Sequence, residues 1–174
     1  MINGFFLVLP FLAIRFPLLS ALNKRALHRA VHFAPMEGGG KIAYAVYQLS
    51  NLGLFLYLFF LTVQVRPSLV FGAGLFCYLL GLGLCALAVI SFAFPDDTGF
   101  NATGLYRFSR NPMYMAYFIC FVGMALLTQS PLLLGIVLIF QFSAHWIVLA
   151  EERWCLEKFG DAYARYKNQV RRYL

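Results

Sequence analysis

Long apolar runs separated by short polar segments dominate this chain. Five such runs cover residues 4–22, 42–65, 68–94, 112–128 and 132–149. A helix needs roughly 20 mostly apolar residues to cross the hydrocarbon layer of a membrane, and the last two runs are at the lower limit of that length. The pattern therefore predicts an all-α fold, an integral membrane bundle of about five transmembrane helices.

The C-terminal third of the pattern predicts two further features. Only Gln129, Ser130 and Pro131 separate the last two apolar runs, and so short a link predicts an antiparallel helical hairpin. Residues 151–174 then place apolar side chains at alternating steps of three and four with basic residues between them. This spacing is typical of an amphipathic helix, and we expect a cytosolic tail helix that bends near Gly160.

Composition excludes a soluble domain, because 61% of the residues are hydrophobic and only 12% are charged. We interpret residues 1–174 as a single membrane domain. The N-terminal helices occupy residues 1–94, and residues 95–174 hold a candidate cofactor-binding loop, the hairpin and the tail. The first apolar run lacks the positively charged start of a secretory signal peptide, so we expect it to be retained.

The basic residues predict the orientation of the bundle. Four lie between the first two runs, two between the third and fourth, and six in the tail, which puts 12 of the 14 Lys and Arg on one side. Arg15, in or near the first run, and Arg66, on the opposite side, are the exceptions. The positive-inside rule makes the basic side cytoplasmic, and all seven acidic residues fall there too. We therefore expect the C-terminus and the active site to face the cytoplasm. The net charge of +7 indicates contact with anionic lipid and no nucleic acid partner.

One polar stretch precedes the hairpin. It contains Tyr106, Arg107, Arg110 and Asn111, and Pro112 then begins a helix. Proline is favoured at the first helical position, and the free N–H groups of a helix N-terminus beside arginine can bind a carboxylate or a phosphate. Anchoring of the two arginines at the membrane interface is the competing interpretation.

A second polar group ends the last run. Glu151 and Glu152 are costly at a membrane boundary unless they are paired or solvated. The hairpin arms are antiparallel, so we expect Asn111 and Glu151 at a similar depth, in a pocket of arginines, carboxylates and tyrosines. Simple ion pairing is the alternative for the acids. His145, about two turns before Glu151, is either a catalytic or a packing residue.

Other chemistry is not indicated. The four cysteines form no CxxC pair, so we expect neither a metal site nor a disulfide framework. The chain contains no Walker loop, no Rossmann glycine pattern and no zinc-protease or serine-hydrolase motif.

The ordered set of polar motifs resembles a known group of membrane enzymes. It comprises residues 104–114, the short hairpin, Glu151-Glu152 and residues 159–166. Across residues 95–174 the chain resembles the isoprenylcysteine carboxyl methyltransferases and phospholipid methyltransferases. Many relatives have His where this chain has Asn111, and Arg where it has Ile147.

The resemblance implies S-adenosylmethionine as the cofactor, bound between the hairpin, the loop before it and the C-terminal segment. Carried over by position, it implies a cofactor site formed by Tyr106, Arg107, Arg110, Asn111, Pro112, Tyr114, Glu151 and Glu152. Arg110 or the free N–H groups at the start of the helix would bind the carboxylate of the cofactor. The implied acceptor is lipidic or hydrophobic, either a prenylcysteine-type carboxylate or a phospholipid amine. An amine must lose a proton, which makes Glu152 or His145 a candidate general base.

Two alternatives stay open at this point. One is an NADPH-dependent membrane reductase resembling the sterol reductases, which share an arginine–proline–tyrosine loop. The other is a membrane bundle without enzymatic activity. Binding of a nicotinamide nucleotide or of S-adenosylmethionine would distinguish the first from a methyltransferase.

Overall fold

The computed structural model describes residues 2–31, 34–36, 38–95 and 99–173. This part of the chain is helical and contains no β-strand, which confirms the all-α prediction. Its elements are α1 (Gly4–Leu22), α2 (Lys24–Val31), α3 (Gly39–Leu58), α4 (Leu69–Ala93), a 3-10 turn (Gly104–Arg107), α5 (Pro112–Thr128) and α6 (Pro131–Gln169).

Helix α1 changes its winding along its length. It begins as a 3-10 turn in which the Asn3 side chain accepts a hydrogen bond from the Phe5 backbone N–H at 2.9 Å. It also contains a π-helical turn, Ile14–Leu18, that includes Pro17. Proline has no N–H to donate to the helix, and π turns often occur at functional sites. Within this turn, the Arg15 side chain reaches the interior of the bundle.

The second predicted span is wrong at its C-terminal end. Helix α3 ends at Leu58, and the chain that follows forms hydrogen bonds with distant parts of the bundle. The N–H of Val63 donates to the carbonyl of Ile2, and the N–H of Gln64 donates to the carbonyl of Leu127, both at 2.9 Å. These distant backbone partners replace helical hydrogen bonds, and an apolar pattern read locally does not reveal them.

Helices α4 and α5 approach each other closely at glycines. A Cβ atom at Gly81 would collide with the backbone of Cys120, and one at Gly123 would collide with the backbone of Tyr78. Small residues at such positions let helices pack against each other in lipid, where no hydrophobic effect drives association. The two contacts fix α5, and hence the loop before it, against α4.

Two residues connect α5 to α6. Gln129 has a left-handed backbone with φ of 51°, and the Ser130 side chain accepts a hydrogen bond from the Leu133 N–H at 3.2 Å. Helix α6 then continues beyond the predicted end of the fifth run, because no glycine or proline lies between that end and Gly160. The backbone at Gly160 is non-helical (φ 52°, ψ −131°), which is where the sequence predicted a bend.

The bundle has the surface of an integral membrane protein. Helices α1, α4 and α6 are long and apolar enough to cross a membrane, and α5 is a shorter apolar helix. Large apolar side chains, including Phe76 and Phe142, are exposed on the outside, where lipid is the solvent. Three of the acids assigned to the cytoplasmic side, Glu37, Asp96 and Asp97, lie outside the described residues.

Candidate active site

A cavity of about 720 Å³ lies between the loop that precedes α5 and helices α1, α3, α5 and α6. Six of the predicted site residues line it: Tyr106, Arg110, Asn111, Tyr114, Glu151 and Glu152. Cofactors and drug-sized ligands bind in pockets of roughly 300–1,000 Å³, so the cavity has the size of a ligand site. The fold thus brings together the two polar stretches that the hairpin was expected to join.

The loop before α5 is anchored to the end of α6. The Tyr166 hydroxyl donates a hydrogen bond to the carbonyl oxygen of Tyr106 at 2.7 Å. Gly104 begins the 3-10 turn with φ of 58°, and a Cβ atom there would collide with the Ser91 side chain, so the turn requires glycine. Burial raises the pKa of the Tyr106 phenol well above its usual value, so its hydroxyl stays protonated at neutral pH.

Arg110 is at the centre of an ion-pair cluster. Its Nε and Nη2 atoms each lie 3.0 Å from Oε1 of Glu152, and its Nη1 donates to the carbonyls of Lys167 and Val170 at 2.6 Å. Nη2 of Arg172 lies 3.0 Å from Oε2 of the same glutamate. This hydrogen bonding raises the pKa of Arg172. Both oxygens of Glu152 and most N–H donors of Arg110 are therefore occupied by protein groups.

Asn111 belongs to the same cluster. Its side-chain nitrogen donates to Oε1 of Glu152 at 3.4 Å and to the carbonyl of Arg172 at 3.2 Å.

Glu151 has fewer partners than its neighbour. Its Oε1 accepts a hydrogen bond from the Tyr114 hydroxyl at 3.0 Å, and this is the one hydrogen bond to its carboxylate in the part of the chain that the structure describes. The side chain lines the cavity. A carboxylate can accept several hydrogen bonds, so Glu151 retains acceptor capacity for a ligand.

Aromatic side chains and the Asn101 amide form another wall of the cavity. The ring centroid of Phe100 lies 5.3 Å from that of Phe159 and 5.4 Å from that of Tyr163. Asn101, which follows Phe100 in the chain, also lines the cavity, and among the described residues its buried Oδ1 has no hydrogen-bond partner. An unsatisfied buried acceptor is costly, so this oxygen would gain from an N–H or O–H donor. Phe100 and Asn101 could not be identified as site residues from the sequence, since nothing in the local pattern distinguishes them.

Arg15 also lines the cavity, and sequence analysis assigned it no site role. Its Nη2 donates to the carbonyl of Ala30 at 3.1 Å, and its guanidinium carbon lies 5.2 Å from the ring centroid of Tyr117. A signal existed in the sequence, because an ionisable residue within an apolar span is by default a functional candidate.

Three predicted site residues lie away from the cavity wall. Arg107 is exposed, and Pro112 is buried as the first residue of α5. Nδ1 of His145 lies 2.9 Å from the Tyr173 hydroxyl, so this imidazole contacts the C-terminal segment. Their roles in cofactor binding or catalysis stay predictions.

Known proteins share the part of the chain that builds most of the cavity. The sequence model of the phospholipid methyltransferase family matches residues 68–162. The protein-S-isoprenylcysteine O-methyltransferase of Saccharomyces cerevisiae is 37% identical over 70 residues, a stretch that covers 39% of this chain and 29% of the yeast protein. The chain therefore matches under a third of that protein's length. No solved structure matches the chain. The family match covers more than half of the chain, and the resemblance inferred from the polar motifs is confirmed: the chain belongs to the phospholipid methyltransferase family.

Proposed function

We propose that this chain is a membrane enzyme that transfers a methyl group from S-adenosylmethionine to a lipid-soluble acceptor. One observation carries the proposal: within the family's matched region, one cavity of about 720 Å³ is lined by Glu151, whose carboxylate retains acceptor capacity, and by Asn101, whose Oδ1 has no hydrogen-bond partner among the described residues. The family membership and the isoprenylcysteine methyltransferase relative support the same chemistry.

The residues present fit the cofactor. S-adenosylmethionine carries an adenine amino group, ribose hydroxyls and an ammonium, all of which donate hydrogen bonds. Oδ1 of Asn101 would accept from the adenine or ribose, and Glu151 from the ammonium or a hydroxyl. Phe159 and Tyr163 offer aromatic surface for a flat base.

When bound, the cofactor supplies a methyl group on a positively charged sulfur, which an acceptor takes by in-line displacement. The contribution of the chain is therefore mainly to hold the two reactants in line and to exclude water. A carboxylate acceptor is already a nucleophile, whereas an amine acceptor must lose a proton. Glu151 is better placed than Glu152 to accept that proton, because both oxygens of Glu152 bind arginines.

Arg110 and Glu152 act as positioning residues in this proposal. Together they hold the loop before α5 and the C-terminal segment in place, since Arg110 also binds the carbonyls of Lys167 and Val170. This arrangement differs from the expectation that Arg110 could bind the cofactor carboxylate directly and that Glu152, as an alternative to His145, is the base.

We also propose that five helices cross the membrane and that the cavity and the C-terminus face the cytoplasm. The basic residues that surround the start of α5 and the end of α6 support this orientation. A lipidic acceptor would then enter sideways from the bilayer, and the cofactor would enter from the cytosol.

The test is transfer of a radiolabelled methyl group. Purified protein is incubated with labelled S-adenosylmethionine and a native membrane extract, and label is expected in the lipid-soluble fraction. Glu151→Gln should remove most of the transfer, while heat-inactivated protein measures the background. Absence of label together with absence of S-adenosylhomocysteine binding would contradict the proposal, and binding of a nicotinamide nucleotide instead would favour the reductase.

A further inference from the structure

Arg15 places a positive charge in the cavity from the N-terminal part of the chain. Its Nη1 lies 3.4 Å from the sulfur of Met113, the second residue of α5, so the guanidinium lies at the same level as the beginning of that helix. It belongs to the π-helical turn of α1. This position lies outside residues 68–162, so the family match assigns it no role.

The contacts of Arg15 leave much of its hydrogen-bonding capacity unused. Among the described residues they comprise one carbonyl, that of Ala30, one thioether sulfur, that of Met113, and the rings of Tyr117 and Phe16. A thioether is a weak acceptor, and a guanidinium has five N–H donors. Within the described ranges, both salt bridges are formed by Glu152 and neither involves Arg15.

An arginine in such a place requires an anion. A charge removed from water is costly unless it is paired, and arginine within an apolar span marks ligand sites for that reason. The planar guanidinium matches the two oxygens of a carboxylate. Of the other two arginines that line the cavity, Arg29 is exposed and Arg110 already has its carboxylate in Glu152.

We propose that Arg15 binds the carboxylate of a ligand in this cavity. The inference rests on the proposed function, which supplies two sources of that group: the amino-acid end of the methyl donor, or a carboxylate on the acceptor. In either case a cation on α1 faces a cavity that also contains the Glu151 carboxylate on α6, so a zwitterionic ligand finds both charges matched.

The experiment compares ligands that carry the free carboxylate with ligands that lack it. S-adenosylhomocysteine is paired with 5′-methylthioadenosine, which lacks the amino-acid end, and N-acetyl-S-farnesylcysteine is paired with its methyl ester. Affinities are measured for the full chain in lipid nanodiscs, for wild type, Arg15→Gln and Arg15→Lys. Arg66→Gln is the matched control, because Arg66 is exposed and lies at the opposite end of the bundle.

Arg15→Gln should lower the affinity for one of the two carboxylate ligands by roughly 10- to 100-fold, the range for a lost hydrogen bond to a charged group. The affinity for the paired ligand without the carboxylate should change by less than about twofold. If Arg15→Gln loses affinity for S-adenosylhomocysteine, the carboxylate that Arg15 binds belongs to the methyl donor. If it loses affinity for the farnesylcysteine acid, that carboxylate belongs to the acceptor. Arg15→Lys should recover part of the affinity.

Two results would overturn the inference. One is unchanged affinity for both acids in Arg15→Gln. The other is equal loss of 5′-methylthioadenosine in the Gln and Lys variants, which would make Arg15 a structural residue. Failure of the proposed function gives a different result, because the wild-type protein itself would then bind neither S-adenosylhomocysteine nor 5′-methylthioadenosine. The farnesylcysteine acid and its ester would still test whether Arg15 binds a carboxylate.

Discussion

Glu151 and Glu152 are adjacent, yet the structure predicts opposite responses to the same nearly isosteric substitution. Glu152→Gln removes the negative charge between Arg110 and Arg172. Glu152 is only 4% exposed and the Arg110 side chain 7% exposed, so water cannot replace the lost partner without local opening of the fold. Glu151→Gln keeps an oxygen that can accept the Tyr114 hydroxyl.

The cost of each change follows from these contacts. Removing one partner of a buried ion pair costs about 3–5 kcal/mol. The lower end applies to Glu152→Gln, because glutamine keeps one acceptor and the Arg172 side chain is 31% exposed. For a chain of this size, about 3 kcal/mol corresponds to a fall in Tm of roughly 10 °C. Glu151→Gln exchanges one hydrogen bond for another, so we expect a cost below about 1 kcal/mol.

Thermal unfolding with a thiol-reactive fluorophore measures both variants, since Cys85 and Cys120 are buried and become reactive when the bundle opens. Each scan is repeated with S-adenosylhomocysteine. Glu151→Gln should keep its Tm but lose stabilisation by the ligand, whereas Glu152→Gln should melt earlier in both conditions. Equal losses of Tm, or a larger loss for Glu151→Gln, would refute the assignment of Glu152 to the fold and Glu151 to the ligand.

Three further changes test the packing around the site. Gly81→Ala should cost about 1–3 kcal/mol through overpacking against α5 and so lower the Tm, whereas the Cβ in Gly83→Ala meets open space and should leave the Tm unchanged. Similar Tm values for the two variants would contradict the close contact between α4 and α5. Arg172→Gln should speed amide hydrogen exchange in residues 170–173 while protection in α5 persists; unchanged exchange would show that the ion pair does not hold this segment. Gly160→Ala should cost about 1–3 kcal/mol in a thermal scan, because its positive φ is strained for other residues although no atom obstructs a Cβ; an unchanged Tm would indicate a relaxed kink.

Much of the helical framework could be predicted from the sequence, because apolar runs bounded by proline, serine or glycine produce local signals. The short link at Gln129 and Ser130 predicted the hairpin, and the antiparallel arms predicted Asn111 and Glu151 at a similar depth; both residues line the cavity. The end of α3 could not be predicted, since its continuation binds the backbone of Ile2 and Leu127, both distant in sequence.

The different roles of Glu151 and Glu152 could not be predicted from the sequence, and the reason is geometric. Adjacent residues on a helix point about 100° apart, so one of them must turn toward the cluster and the other toward the cavity. Which one does so depends on Arg172, which arrives 20 residues later after the kink at Gly160. Arg15 was counted only as an exception to the charge distribution, because its direction depends on the winding of α1.

The π-helical turn in α1 makes the length of this helix as important as its residue types. A π turn accommodates one extra residue within a helix, so deleting one residue from Ile14–Leu18 would let the segment wind as a regular α-helix. The flanking apolar faces would keep their register and still suit a lipid bilayer, but the direction of the Arg15 side chain, which is set inside the π turn, would change. Family members that differ by a single-residue gap here, while retaining the whole loop before α5, would therefore be expected to differ in which ligands they accept.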